Sequence, residues 1–306
     1  MIRYLIKRLG ASTLILAGVT MVTFALLYVI PADPVAMIAG RNATAETREQ
    51  LRHQLYLDRP LIEQYGRYVA RLAQGDLGRS YAQKTEVSYL IWSRLPATLL
   101  LMLGAITAEL IIGLPAGIYA ATRRGSRADR TVMIASFAGV SAPQFVVGML
   151  LLYLFAATLG WFPLSGYGDL RHLVLPSLTL GLAGGGWYSR VMRSSMLDVM
   201  RQDYVRTARA KGLPEWRVVM THAFRNAVLP VIAMIGLDIG IFMAGAVVVE
   251  SVYGWPGIGQ LAWQAIQRVD GPIILGVTLV AAVFIVLGNL LADLIAPLID
   301  PRIKLR

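Results

Sequence analysis

The sequence predicts an all-α integral membrane protein with six transmembrane helices. A larger extracytoplasmic region follows the first helix, and a cytosolic helical loop lies between the fourth and fifth. Three observations lead there. Hydrophobic residues make up 56% of the 306-residue chain and charged residues 15%, and the mean hydropathy is +0.59; this is the composition of a chain living mostly in lipid. The apolar residues are gathered into long runs free of Lys and Arg. The short segments between those runs differ sharply in positive charge, as membrane topology requires.

Residues 1–8 carry Arg3, Lys7 and Arg8 without an acid, and residues 9–30 form an apolar run of 22 residues. As a helix this run is about 33 Å long, enough to cross a bilayer. Pro31-Ala32-Asp33-Pro34 follows it in place of a small-residue cleavage site, so the run reads as an uncleaved span with a cytosolic N-terminus. Residues 31–96 are the longest polar section, with nine Lys or Arg and seven Asp or Glu. Helical spacing over 46–57 and 61–72 predicts two short helices outside the membrane or at its surface. The glycines of Gly75-Asp76-Leu77-Gly78-Arg79-Ser80 read as a turn, since no Gly-Lys-Ser/Thr ending makes them a phosphate loop.

Further spans are predicted at 97–121, 132–161, 174–189, 228–250 and 273–296. The cluster Gly181, Gly184, Gly185 and Gly186 permits close helix packing in the fourth. Trp161 and Phe162 suit the interfacial end of the third. Of the 29 Lys and Arg, 18 fall in the termini and in segments 122–131 and 190–228, and nine of the rest lie in the long first loop. The rule for short loops therefore puts both ends in the cytosol. The net charge of +11 then faces the cytosol and anionic lipid heads. No soluble basic domain remains to bind nucleic acid.

The most informative cytosolic stretch is 203–230, DYVRTARAKGLPEWRVVMTHAFRNAVLP. Gly212 can end one helix and Pro214 can begin another, so it reads as helix, sharp turn, helix. Its cationic surface and lack of a wide apolar face suit docking onto something outside the membrane. Inside the spans Glu109 and Asp238 are the deepest ionisable residues, candidates for a translocation path because a carboxylate in lipid faces a bundle interior or water. Glu250 and Asp293 lie near span ends, where they are expected to reach water or to pair with neighbours such as Arg302. The loop after Glu250, Ser251 to Gly259, is rich in aromatics and glycine; Tyr253 and Trp255 suit the interface, and Pro256 and Gly257 let it fold back towards the bundle. Asp300-Pro301-Arg302 is expected to stop the last helix at the membrane surface.

Four segments together resemble the dipeptide/oligopeptide branch of the permease subunits of binding-protein-dependent ABC importers. They are LYLDRPLIEQYGRYVARL with GDLGRS, RTARAKG with Leu229-Pro230, Glu250 to Gly259, and NLLADLIAPLIDPRI at 289–303. The general family loop has Glu-Ala-Ala, three residues and Gly, with Leu-Pro further on. Here Arg206, Thr207 and Ala208 occupy the first positions, the Glu is absent, and the distance to Leu-Pro is longer. The resemblance implies that Tyr204, Arg206, Thr207, Ala208, Arg209, Ala210, Lys211, Gly212, Leu213, Pro214 and Glu215 form a coupling helix seated in a cleft of an ATPase. It places Glu250, Tyr253, Trp255, Pro256 and Gly257 near an outer gate. Its implied partners are a second, similar permease, two cytosolic ATP-binding subunits and an extracytoplasmic solute-binding protein, in a bacterial inner membrane. No cofactor would sit on this chain, ATP and magnesium being on the ATPases.

The absences agree with a non-enzymatic role. There is no cysteine and no GxxxxGK[ST], HExxH or GxSxG, so thiol chemistry, phosphate-loop nucleotide binding and the common hydrolase motifs are excluded. Peptide is the expected solute, with a nickel chelate, glutathione or another small solute as alternatives. A secondary transporter independent of ATPases stays open because of Glu109 and Asp238, as does a pore or receptor subunit.

Overall fold

The computed structural model describes residues 2–29, 35, 39, 43–243 and 245–299. Among these there is no strand beyond an isolated bridge between Arg79 and Glu86; thirteen helical elements account for the architecture. They are α1 (Ile2–Val29), α2 (Ala45–Gln54), α3 (Leu61–Ala73), α4 (Val87–Thr122), α5 (Arg127–Ser141) and α6 (Gln144–Leu151, continued as a π-helix over Leu152–Thr158). Then come α7 (Leu170–Val199), α8 (Asp203–Ala210), α9 (Glu215–Ala227), α10 (Leu229–Met243), α11 (Val247–Val252), α12 (Ile258–Gln267) and α13 (Gly271–Ile299).

Local chemistry sets the helix starts. Thr44 caps α2 by accepting from Thr47 N at 3.2 Å, with Glu46 in the first turn and Arg52 and His53 in the last, as the helix dipole favours. Ser126 caps α5 by accepting from Asp129 N at 3.2 Å, and Asp169 caps α7 by accepting from Arg171 N at 3.0 Å. α2 and α3 occupy the expected helical stretches of the first loop. Between α3 and α4, Gly75 and Gly78 have φ of +79° and +82° and Asp76 Oδ1 accepts from Gly78 N at 2.8 Å. The segment is the turn its composition predicts.

α4 and α7 form the central pair. Small residues let their backbones meet: a Cβ added at Gly185 would stand 3.0 Å from Ile112 Cγ2, and one at Gly117 3.1 Å from Arg193 N. α10 meets α13 in the same way, with Gly240 against Ile285 and Gly288 against the Gly236 carbonyl. Such close approach replaces the hydrophobic drive that lipid cannot supply between helices. One apolar cluster gathers Val87, Ile91, Leu101, Leu175, Trp255 and Ile273. A second joins Tyr188, Met192 and Met196 of α7 to Val219, Ala223, Ala227 and Val231.

Several helices differ in extent from the expected spans. The third span, expected unbroken over 132–161, bends by 101° between α5 and α6. Pro143 disfavours a helical Ala142, which is extended at φ −72°, ψ 127°. The helix that holds the second expected span begins ten residues before it, at Val87, because Val87, Leu90, Ile91 and Leu95 are buried at helical spacing although Arg94 interrupts the hydropathy. The fourth helix runs on to Val199, its polar 190–199 segment held by buried Met192 and Met196. The fifth stops at Met243. Among the described residues, α4 and α13 are each long and apolar enough to cross a membrane, and counting each bent pair, α5 with α6 and α9 with α10, as one span brings the number to four.

Candidate functional site

α8 and α9 form the helix–turn–helix. Gly212 closes α8 with φ +76°, a conformation that favours glycine, and its N–H donates to Arg209 O at 2.9 Å. Pro214 is the residue before α9, where a missing N–H costs nothing. Arg209 braces the turn by donating to both Glu215 oxygens, at 3.1 and 2.7 Å. That bonding holds the Glu215 carboxyl below its ordinary range and raises the guanidinium.

One expectation for this element fails. It does have an apolar face: Val205, Ala208 and Val218 are buried together, edged by Val199 and Leu213. The i,i+3 spacing of Val205 and Ala208 carried that signal. Ala208 is therefore inside the element, whereas Tyr204, Arg206, Thr207, Arg209, Ala210, Lys211, Gly212, Pro214 and Glu215 are exposed and Leu213 is half-buried. Trp216, not among the expected contacts, is 63% exposed beside them.

The element is tied to the bundle in two ways. α9 passes through a π-helical turn, Val218–Ala223, and meets α10 at a bend of 48°, while its apolar face packs on the end of α7. Beside that contact, Arg193 of α7 donates to both oxygens of Asp129, at 2.6 and 2.7 Å. The Arg193 bonds hold the Asp129 carboxyl below its usual range, and Gly125 N adds a further donor. Sequence reading missed this pair because its members are 64 residues apart.

Glu250 does not reach water as expected; it is fully buried. Its carboxylate accepts from Gln260 N at 2.6 Å and from Thr98 Oγ1 at 3.5 Å. Gly257 and Gly259 make this fit, since a Cβ at either would strike the carboxylate. Tyr253 and Trp255 are core pins, 2% and 0% exposed, where interfacial anchors were expected. Trp255 Nε1 donates to Ala97 O at 2.9 Å and Tyr253 Oη to Gly148 O at 3.1 Å. Thr98 Oγ1 also accepts from Ile258 N at 2.8 Å. Pro256 is half-buried in the same loop. These bonds fasten the loop to α4 and α6. Next to it, buried Asp270 accepts from Ser80 Oγ at 2.5 Å and Ala82 N at 3.0 Å, tying the first loop to α13.

Glu109 and Asp238 do come together. Glu109 is 3% exposed, its carboxyl seated against Gly184 and within hydrogen-bonding reach of Asp238. Asp238 also accepts from the Tyr188 hydroxyl. Asp293 pairs with Arg8 at 2.5 Å, joining α13 to α1; Asp300, Pro301 and Arg302 lie outside the described residues.

Long apolar helices packed through glycine around buried carboxyls define a multi-pass membrane protein. The chain belongs to the family of binding-protein-dependent transport system inner membrane components. That family's model matches residues 113–305, and the model of its N-terminal part matches residues 1–102. It is 40% identical to the di/tripeptide transport system permease protein DppB of Pseudomonas aeruginosa, over 99% of each chain. It is also 40% identical to the oligopeptide transport system permease protein AppB of Bacillus subtilis, over 99% of this chain and all of that one. The glutathione transport system permease protein GsiC of Escherichia coli shares 40% identity over 99% of each. In fold, a chain from inward-facing conformations of the MetNI methionine ABC transporter aligns with a TM-score of 0.59 at 15% identity, covering 69% of this chain and 97% of that one.

Proposed function

We propose that this chain is the permease subunit of an ATP-driven importer of dipeptides or oligopeptides. In this reading six spans cross a bacterial inner membrane with both termini cytosolic, and a second, similar permease completes the path. Two cytosolic ATPases carry ATP and magnesium, an extracytoplasmic binding protein delivers the solute, and this chain catalyses no reaction itself.

The observation that carries the reading is the braced α8–α9 element, exposed on one face, packed on α7 and continuous with α10. A push on a rigid element so joined must move α10 against the α4–α7 pair, the elementary event of alternating access. ATP closure of the ATPases would drive that push and open the outer side, and hydrolysis would reset it. Peptide as solute is supported by full-length relatives named for peptide transport, with glutathione and nickel chelates as the alternatives.

Reconstitution tests it. The purified complex should contain two ATPase chains and a second permease, and vesicles holding it should accumulate labelled dipeptide only with ATP and binding protein. Uptake by this chain alone, driven by an ion gradient, would instead establish a secondary transporter.

A further inference from the structure

Glu109 of α4, Asp238 of α10 and Tyr188 of α7 meet at the junction of three helices. Glu109 is almost wholly buried, and its Oε2 accepts no hydrogen bond. Tyr188 donates its only hydroxyl proton to Asp238, leaving the group rich in acceptors and one donor short.

The charges facing this group are few. Glu109 is acted on by Asp238, Asp238 by Tyr188 and Glu109, and Tyr188 by both carboxyls, and among the described residues no Arg, Lys or His acts on any of the three. α13, on the other side of α10, brings Ile285 and Gly288, and its Asp293 is bound to Arg8. α5, behind α7, meets Gly186 through Ser136 and Val140, and its Asp129 is bound to Arg193. Arg190 of α7 lies over the rings of Trp187 and Phe137, at 4.2 and 4.9 Å. Arg225 of α9 is exposed, and His222 is half-buried in its π-helical turn.

We propose that Glu109, Asp238 and Tyr188 form a proton-binding site that fastens α10 to α4 and α7. Two carboxylates in contact within an apolar bundle repel strongly, and among the described residues no cation stands beside these two. One proton between them removes a negative charge and supplies the missing donor to Glu109 Oε2. Because α10 continues from α9, the movement proposed above for the importer would part Asp238 from Glu109 and Tyr188. The site then exists in one state of the cycle and is lost or released in the other. The importer reading supplies only the driving motion; occupancy by a proton is independent of it.

The test uses the assembled complex in lipid, as wild type, Glu109→Gln and Asp238→Asn. Infrared spectroscopy of wild type near neutral pH should show a protonated-carboxyl band that both variants lack. ATP-driven peptide uptake by wild type should fall about tenfold from about pH 6 to about pH 9, as the shared proton is lost and the carboxylates repel. Glu109→Gln, whose amide donates permanently, should change less than about twofold over the same range. If a variant does not assemble, the wild-type band and its loss with rising pH carry the result. No protonated-carboxyl band in wild type, or variants that keep its pH profile, would overturn the proposal. Absence of ATP-driven uptake in wild type would overturn the importer reading and leave the infrared result standing.

Discussion

At the scale of single residues, burial and bonding distinguish roles that residue type alone confuses. Glu250 and Asp293 both read as carboxylates near span ends, yet Glu250 is sealed beneath Gly257 and Gly259 while Asp293 meets Arg8 on a half-exposed surface. Gly257→Ala should therefore lose about 1–3 kcal/mol of stability through overpacking. Combined with Glu250→Ala, which vacates the space, its further cost should shrink, a non-additivity that thermal melts of the two singles and the double would expose. Asp129 and Arg193 make a second residue-scale prediction. Removing either partner of this largely buried pair should cost on the order of 3 kcal/mol. Since Arg193 holds the Asp129 carboxyl low, that stabilisation is present at neutral pH and is lost as acid protonates the carboxylate, below about pH 4. Melts of Arg193→Ala and wild type should accordingly converge as pH falls.

At the scale of elements, legibility followed the range of the signal. α2, α3 and the Gly75–Gly78 turn were readable because caps, periodicity and glycine act within a few residues. α8, Gly212, Pro214 and α9 were readable for the same reason. Hydropathy misplaced the ends of α4 and α7, since both helices continue beyond their apolar runs on buried stripes such as Met192 and Met196. The 101° bend at Pro143 was hidden in a run that stays apolar on both sides. The small core of α8, with Val205 at 0% exposure, is a testable case. Val205→Asp would bury an unpaired charge, which is strongly destabilising. Protease cleavage at 203–217 should then rise sharply while α4 and α7 stay protected.

At the scale of the whole molecule, the family was legible from motifs spread along the chain, and the arrangement of the site was not. Glu109 and Asp238 were recognisable as unusual, but nothing in their spacing of 129 positions showed that they touch. The bonds from Trp255 to Ala97 and from Ser80 to Asp270 span 158 and 190 positions, and long-range pairings of this kind leave no local pattern. What they build is a bundle in which the Ser251–Gly259 loop is fastened to α4 and α6, while α10 is bonded to α7 through Tyr188 and Asp238 and continues from α9; in the proposed function α10 responds to the α8–α9 element. Gly212→Pro tests that account most directly. Proline cannot adopt φ of +76° and has no N–H to give Arg209 O, so the turn must change shape while the spans keep their sequence. Gly212→Ala supplies a milder variant, costing about 1 kcal/mol through strain. ATP hydrolysis and labelled-peptide uptake should be measured together in vesicles containing the complete complex. The account predicts retained hydrolysis with uptake reduced at least about tenfold for Gly212→Pro, and a smaller reduction for Gly212→Ala. Uptake unchanged in Gly212→Pro would contradict it, reducing α8–α9 to a connector between two helices.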